Sequence, residues 1–237
     1  MCISVEGNII KTGKANMSWR KYKKALVEFY TENGLSQSLN SDEEYLHKAY
    51  IGISKLWEEN ADTIESVNYV MIAEAPLWGA NKSYIYNLKS ANTQFFYRSD
   101  LEYILNRPLS NKSQFLGALA NAGFLVIDIS PFAFNNADTS INYRTISTKQ
   151  YKSLLYRTLP GYFLDRMSFV DAKLSNRNCF FFRYSRVRES FGNLIEQMLA
   201  KAGYIDGKNP LIDISQKGGG IGRLKLSEIM SKSRFGS

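Results

Sequence analysis

Histidine is almost missing from this chain: 237 residues contain one, His47. Mechanisms built on Ser-His-Asp or Cys-His pairs, and metal sites with several histidine ligands, would all have to draw on that single imidazole and are not expected. His47 itself lies in "SDEEYLHKAY", where Ser41 and Glu44 carry the spacing of a capping box at the start of an amphipathic helix. It reads as a helix-face residue. Cysteine is nearly as scarce, with Cys2 and Cys179 only. Two thiols build neither a disulfide framework, a four-thiolate iron–sulfur cluster nor a cysteine-rich zinc site, and they favour a reducing compartment. No apolar run reaches about 18 residues, and the N-terminus lacks a basic-then-apolar secretory pattern. The expectation is a cytoplasmic protein without membrane attachment. The glycines at 218, 219, 220 and 222 follow an apolar run but space as G-x-G-x-G, not as the dinucleotide fingerprint G-x-G-x-x-G. No metal or organic cofactor is implied.

What the chain does have is basic charge and apolar mass. Lysine and arginine number 30 against 22 acidic residues, a net charge of +8, which favours polyanionic partners. Hydrophobic residues make up 44%, enough for one sizeable core, so a single domain over 1–237 is the default. Carboxylates must carry any acid–base work.

The first regular pattern is "SWRKYKKALVEFYTEN", with Trp19, Tyr22, Leu26 and Tyr30 at helical spacing. A second helix is predicted from about Ser41 to Glu59, with Tyr45, Leu46, Ala49, Leu56 and Trp57 facing inward. Together they form a helical preface over about 17–60. Four short apolar runs follow: "VNYVMIA" (67–73), "GFLVIDI" (123–129), "CFFFRY" (179–184) and "PLIDIS" (210–215). Near-continuous hydrophobicity suits strands buried on both faces of a parallel sheet. Between them lie the helical patterns "NKSQFLGALANAG", "QYKSLLYRTL" and "SFGNLIEQMLAKAGY", with Gly123 and Gly203 as stop signals. Alternating strands and helices predict a three-layer α/β/α sandwich with a four-stranded parallel central sheet. The stretch "FAFNNADTSINYRTISTKQ" reads as a surface excursion.

In an open parallel sheet, ligands bind beyond the carboxyl ends of the strands. There the first run delivers Glu74-Ala75-Pro76, the second Asp128 and Ser130-Pro131-Phe132, the third Arg183, Arg186 and Arg188, and the fourth "SQKGGGIGRLK". Basic groups meet phosphates, glycines bring backbone N–H groups close to a sugar–phosphate chain, aromatics stack an extruded base, and buried carboxylates read or activate it.

The segment "IAEAPLWGANKSYIYN" resembles the first motif of the uracil-DNA glycosylase superfamily, in the branch that reads Gly-Glu-Ala-Pro-Gly. Ala73 and Leu77 replace the two glycines, whereas Glu74, Ala75 and Pro76 stand. Tyr86, twelve residues after Glu74, occupies the place of the family's stacking aromatic, with Tyr84 beside it. "FLVIDISPF" is similar to the strand carrying the base-reading Asn: Asp128 matches the Asn, and Ser130-Pro131 a Cys-Pro pair. The family's last motif presents His-Pro-Ser, but "LIDISQKGGGIGR" offers Ser215, Gln216 and Lys217 with no histidine, so Lys217 or backbone N–H groups would have to stabilise the leaving base. The four cysteines that hold a cluster in the Glu-Ala-Pro branch are absent too.

The resemblance implies a monofunctional DNA glycosylase that leaves an abasic site. Glu74 would direct water and Asp128 read the base. Ala75, Pro76, Tyr84, Tyr86, Ser130 and Phe132 would line the base site. Gln216, Lys217, Gly218, Gly219, Gly220, Arg223, Arg186 and Arg188 would hold DNA. Asp in place of Asn bears on substrate, because an ionised carboxylate only accepts hydrogen bonds and repels uracil O4 but satisfies the N4 amino group of cytosine. Hydrogen-bonding pockets of this kind discriminate by ~10⁴. Excision of plain cytosine would destroy the host genome, so a modified cytosine, as in hypermodified phage DNA, is the expected substrate, with antiviral defence as the setting.

Plainer roles exist for the same residues. Glu74 suits a solvated strand-end acid or helix cap, Asp128 a turn cap working through Ser130, and the tyrosines ordinary packing. The glycine run suits a flexible turn, and the arginines suit scattered solvated charge. At the level of the whole chain the competitors are a non-catalytic nucleic-acid-binding protein and a nucleoside or nucleotide hydrolase.

Overall fold

The computed structural model of the protein describes residues 19–90, 96–143, 145–207, 209–214 and 222–234. The fold is α/β: a four-stranded, all-parallel central sheet flanked by helices, as in a three-layer α/β/α sandwich. The chain forms two compact units interleaved in sequence. One takes the segments up to Asn60, Ala75–Ser90 and Ile129–Tyr162. The other takes Ala61–Glu74, Ala91–Asp128 and the chain from Phe163 on.

The second unit holds the sheet. Strands β1 (Val67–Ala73), β2 (Phe124–Asp128), β3 (Leu174–Phe182) and β4 (Leu211–Ile212) lie in the order β2-β1-β3-β4. Every residue of β2 is buried, as are all but Asn68 of β1 and the last five of β3, which is why these segments read as unbroken apolar runs. Helix α4 (Lys112–Asn121) packs on β2, and α6 (Ser185–Lys201) packs on β3. Asn111 caps α4 by accepting from Gln114 N at 2.9 Å. Helices α3 (Phe96–Leu105) and α7 (Arg223–Arg234) pack on each other. Gly123 joins α4 to β2 at φ +70°, and its carbonyl accepts from the amides of Asn68 (2.8 Å) and Tyr69 (3.0 Å). A Cβ there would run into the Ser66 carbonyl and the Asn68 side chain, so only glycine lets the strand enter beside β1.

The first unit is built on α1 (19–32) and most of α2 (Leu39–Thr63). Trp19, Tyr22, Leu26 and Tyr30 are buried, as their spacing predicts. The capping box does not form. A 3-10 turn, Ser36–Ser38, leads directly into α2, so Ser41 lies inside the helix with its hydroxyl donating to Ser38 O, and Glu44 pairs with Lys48. The acid that organises this region is Asp42, which is buried and accepts from Tyr30 Oη at 2.6 Å and from the Ser140 amide at 2.8 Å. Burial of the ring, with the hydrogen bond to Asp42 and that acid's negative charge adding to it, pushes the Tyr30 phenol well above its ordinary range.

Four further expectations need correction. The stretch 132–150 is irregular but not a surface excursion: Phe132, Ala133, Phe134, Ile141 and Ile146 are buried, and Asn135 and Thr139 satisfy its backbone. Helix α5 (Thr148–Val170) does not stop before Pro160 but runs through it, carried by Leu154, Leu155, Leu159, Phe163, Met167 and Val170 on its buried side. Helix α6 starts at Ser185, earlier than "SFGNLIEQ", which puts Arg186 and Arg188 on its first turn. The fourth apolar run pairs over two residues only, as an edge strand against β3 whose Pro210 can offer a carbonyl, accepting from Phe180 N, but no N–H.

Candidate functional site

Parallel pairing with β1 at the centre brings three strand ends side by side. Ala73 pairs with Asp128, and on the other flank Ile72 pairs with Phe182. The Arg183 amide extends that ladder by donating to Ile72 O at 3.0 Å. Glu74 stands one residue past the end of β1 and Tyr184 two past the end of β3, so Asp128, Glu74, Arg183 and Tyr184 meet along one rim of the sheet.

Both carboxylates are well covered, with 5% of Asp128 and 18% of the Glu74 side chain exposed. Arg186, from the first turn of α6, brings Nη2 to 3.4 Å from Glu74 Oε1. Burial raises the Glu74 carboxyl above its ordinary range, and the Arg186 cation opposes that rise without cancelling it. The Arg183 guanidinium lies 4.2 Å over the Tyr184 ring, a cation–π contact. Burial raises the Tyr184 phenol, Arg183 draws it down, and Glu74 and Asp128 both push it up. The two acids and the tyrosine therefore share one electrostatic environment. A covered glutamate whose carboxyl is raised can take a proton from water near neutral pH, and it can face a developing cation from a low-dielectric wall.

The remaining arginines are engaged elsewhere. Arg188 Nε lies 3.0 Å from Asp213 Oδ2, just past β4, and its guanidinium also reaches Glu189 at 3.5 Å. Arg223, at the start of α7, pairs with the buried Asp100 of α3, bonds the Ser99 hydroxyl and lies 5.8 Å from the centre of the Tyr103 ring. Gln216, Lys217, Gly218, Gly219 and Gly220 lie outside the described residues.

The loops that leave β1 and β2 belong to the first unit, and Tyr45 of α2 ties them together. Its hydroxyl accepts from the Gly79 amide (2.9 Å) and from Asn135 Nδ2 (2.6 Å), and it donates to Ala133 O (3.3 Å). Trp78 lies against α2 where residue 52 is glycine. Ala75 is half-buried and Pro76 buried. Tyr84 and Tyr86 are buried edge to face, their ring centres 5.6 Å apart. Ser130 caps its own turn, accepting from the Phe132 amide at 3.2 Å, and the Tyr143 hydroxyl closes the same turn by donating to Phe132 O at 2.6 Å. The Phe132 ring is fully buried between Trp19 and Phe134.

The structure thus gathers Glu74, Asp128 and Arg186 at one rim, pairs Tyr84 with Tyr86, and pairs Ser130 with Phe132. Arg188 and Arg223 each have a separate carboxylate partner. Tyr184 is the rim residue that the motifs alone did not single out. It stands directly after "CFFFR", and the strand-end logic that found Glu74 and Asp128 points to it equally. Among the described residues, no group of three or more His, Cys, Asp or Glu is placed to hold a metal ion, and no helix is long and apolar enough to cross a membrane. No known family, curated protein or solved structure matches the chain.

Proposed function

We propose that this protein is a DNA glycosylase that hydrolyses the N-glycosidic bond of a flipped-out, modified cytosine and leaves an abasic site. The observation that carries the reading is the covered pair of carboxylates, Glu74 and Asp128, on neighbouring ends of β1 and β2. Breaking an N-glycosidic bond builds positive charge on the sugar, and a carboxylate beside it stabilises that charge while drawing a proton from the attacking water. Glu74 takes this role. Asp128 accepts from the N4 amino group and disfavours uracil, whose O4 would meet a lone pair. Tyr184, whose phenol burial keeps protonated, supplies a neutral donor to the departing base where an imidazole is absent. The net charge of +8 supports capture of a polyanion.

The test is incubation with a panel of natural and hypermodified genomic DNAs, with freed bases identified by mass spectrometry. The expected result is release of one cytosine derivative by the wild-type chain and loss of release, by about 10²-fold or more, in Glu74→Gln with DNA affinity retained. DNA binding without any freed base from the wild type would overturn the reading in favour of a non-catalytic binding protein. Release from free nucleosides alone, insensitive to salt, would overturn it in favour of a small-molecule hydrolase.

A further inference from the structure

The contact between Arg186 and Glu74 conflicts with the role just given to Glu74. A guanidinium on Glu74 Oε1 neutralises the charge that an oxocarbenium-like sugar needs opposite it, and it weakens the carboxylate as a base. The contact is also a loose one. It is a single approach at 3.4 Å, not a bidentate fork, and 47% of the Arg186 side chain is exposed against 18% for Glu74. One partner is anchored at the end of a buried strand. The other sits on the solvent side, on the first turn of a helix.

We propose that Arg186 is an exchangeable counter-ion: it holds Glu74 in the free protein and leaves it for a phosphate of the bound nucleic acid, so that the carboxylate meets water and sugar without that guanidinium against it. The inference rests on the glycosylase reading and adds to it a link between substrate capture and activation of the base. Arginine suits the exchange because its planar fork matches a phosphate better than it matches one carboxylate oxygen approached from the side. Among the described residues, the charged and titratable groups that share this rim with Glu74 are Arg186 on α6, Asp128 at the end of β2, and Arg183 and Tyr184 after β3. Arg183 lies over the Tyr184 ring, so Arg186 is the cation whose departure changes Glu74 most.

The exchange separates two pH profiles. The acid limb of kcat/KM reports the free protein, in which Arg186 holds Glu74, whereas that of kcat reports the complex, in which it has left. In the wild type the kcat limb lies at higher pH than the kcat/KM limb. Arg186→Gln moves the kcat/KM limb up to meet the kcat limb, leaves the kcat limb at its wild-type position, and lowers kcat/KM by roughly tenfold through the lost phosphate contact. Arg186→Lys restores part of the separation. If both limbs move together in Arg186→Gln, the arginine stays on Glu74 throughout and the exchange is wrong. A second measurement needs no turnover: the Glu74 carboxyl is titrated by carbon NMR in the free protein and with a short single-stranded oligothymidylate. An upward move on binding, matched by Arg186→Gln without DNA, supports the exchange, and an unchanged titration overturns it. Failure of the wild type to free any base from any DNA counts against the glycosylase reading alone, and the titration still decides the exchange.

Discussion

A single atom separates aspartate from asparagine at position 128, and in the proposed site that atom decides the substrate. The carboxylate has acceptors only, while an amide in its place can donate to uracil O4 and accept from N3–H. Asp128→Asn is therefore expected to raise uracil excision and depress excision of the cytosine derivative, changing the ratio by at least about 10²-fold. Competition between oligonucleotides carrying each base measures this, and an unchanged ratio would remove Asp128 from base reading. Lys112 makes a different residue-scale case. Only 5% exposed, on the first turn of α4, its ammonium is lowered by burial to about 8. Because the folded value lies below the ordinary 10.5, the unfolded chain holds a proton that the folded one has lost across this window, and stability rises with pH there. Below pH 8 the cost is constant. Lys112→Met removes it, so the stability of the wild type relative to the variant should climb by on the order of 2 kcal/mol between pH 8 and 10 in urea titrations. A flat difference would show that the amine titrates normally.

Among the elements, β1, β2 and β3 were legible because burial on both faces leaves an uninterrupted apolar run, and the carboxylates stood out as the polar groups ending such runs. Helix boundaries were less so. Ser41 and Glu44 have capping-box spacing, yet Asp42 one residue later is claimed by Tyr30 and Ser140, contacts no local pattern encodes. Val187, Phe191, Ile195 and Leu199 form a four-residue rhythm that extends α6 back to Ser185, but the arginines among them read as loop. The pairings of Arg188 with Asp213 and Arg223 with Asp100 are invisible for a deeper reason: the first depends on β4 lying beside β3, the second on α7 packing on α3. The sequence pattern marks Gly123 as a helix stop, and the fold asks more of it. Gly123→Ala would strain a left-handed φ and press a methyl group into the Ser66 carbonyl. A loss of about 2–4 kcal/mol is expected in chemical denaturation, with the register of β2 beside β1 disturbed. A loss under about 1 kcal/mol would mean the α4–β2 turn can relax.

For the molecule as a whole, if it binds DNA as proposed, a net charge of +8 overstates the cation available to the phosphates. Arg186, Arg188 and Arg223 were expected to track phosphates, and each already faces a carboxylate. When such an arginine turns to a phosphate, the DNA releases a counterion but the abandoned carboxylate recruits one, so the net release falls below the ~0.9 per contact of a free cation on duplex DNA. The slope of log affinity against log salt should accordingly be shallower than the number of basic contacts implies. Asp213→Asn isolates the effect, because Asp213 is an exposed partner just past the edge strand β4, two strands along the sheet from β1 and Glu74. Relieved of it, Arg188 keeps, among the described residues, only the exposed Glu189 at 3.5 Å and should engage phosphate more nearly as a free cation, tightening DNA binding several-fold at low salt and steepening the slope by up to about one unit. Fluorescence anisotropy over a salt series reads both quantities. Asp213→Asn with the wild-type slope and affinity would mean that Arg188 does not meet DNA, which would confine the contact surface to the rim occupied by Arg186.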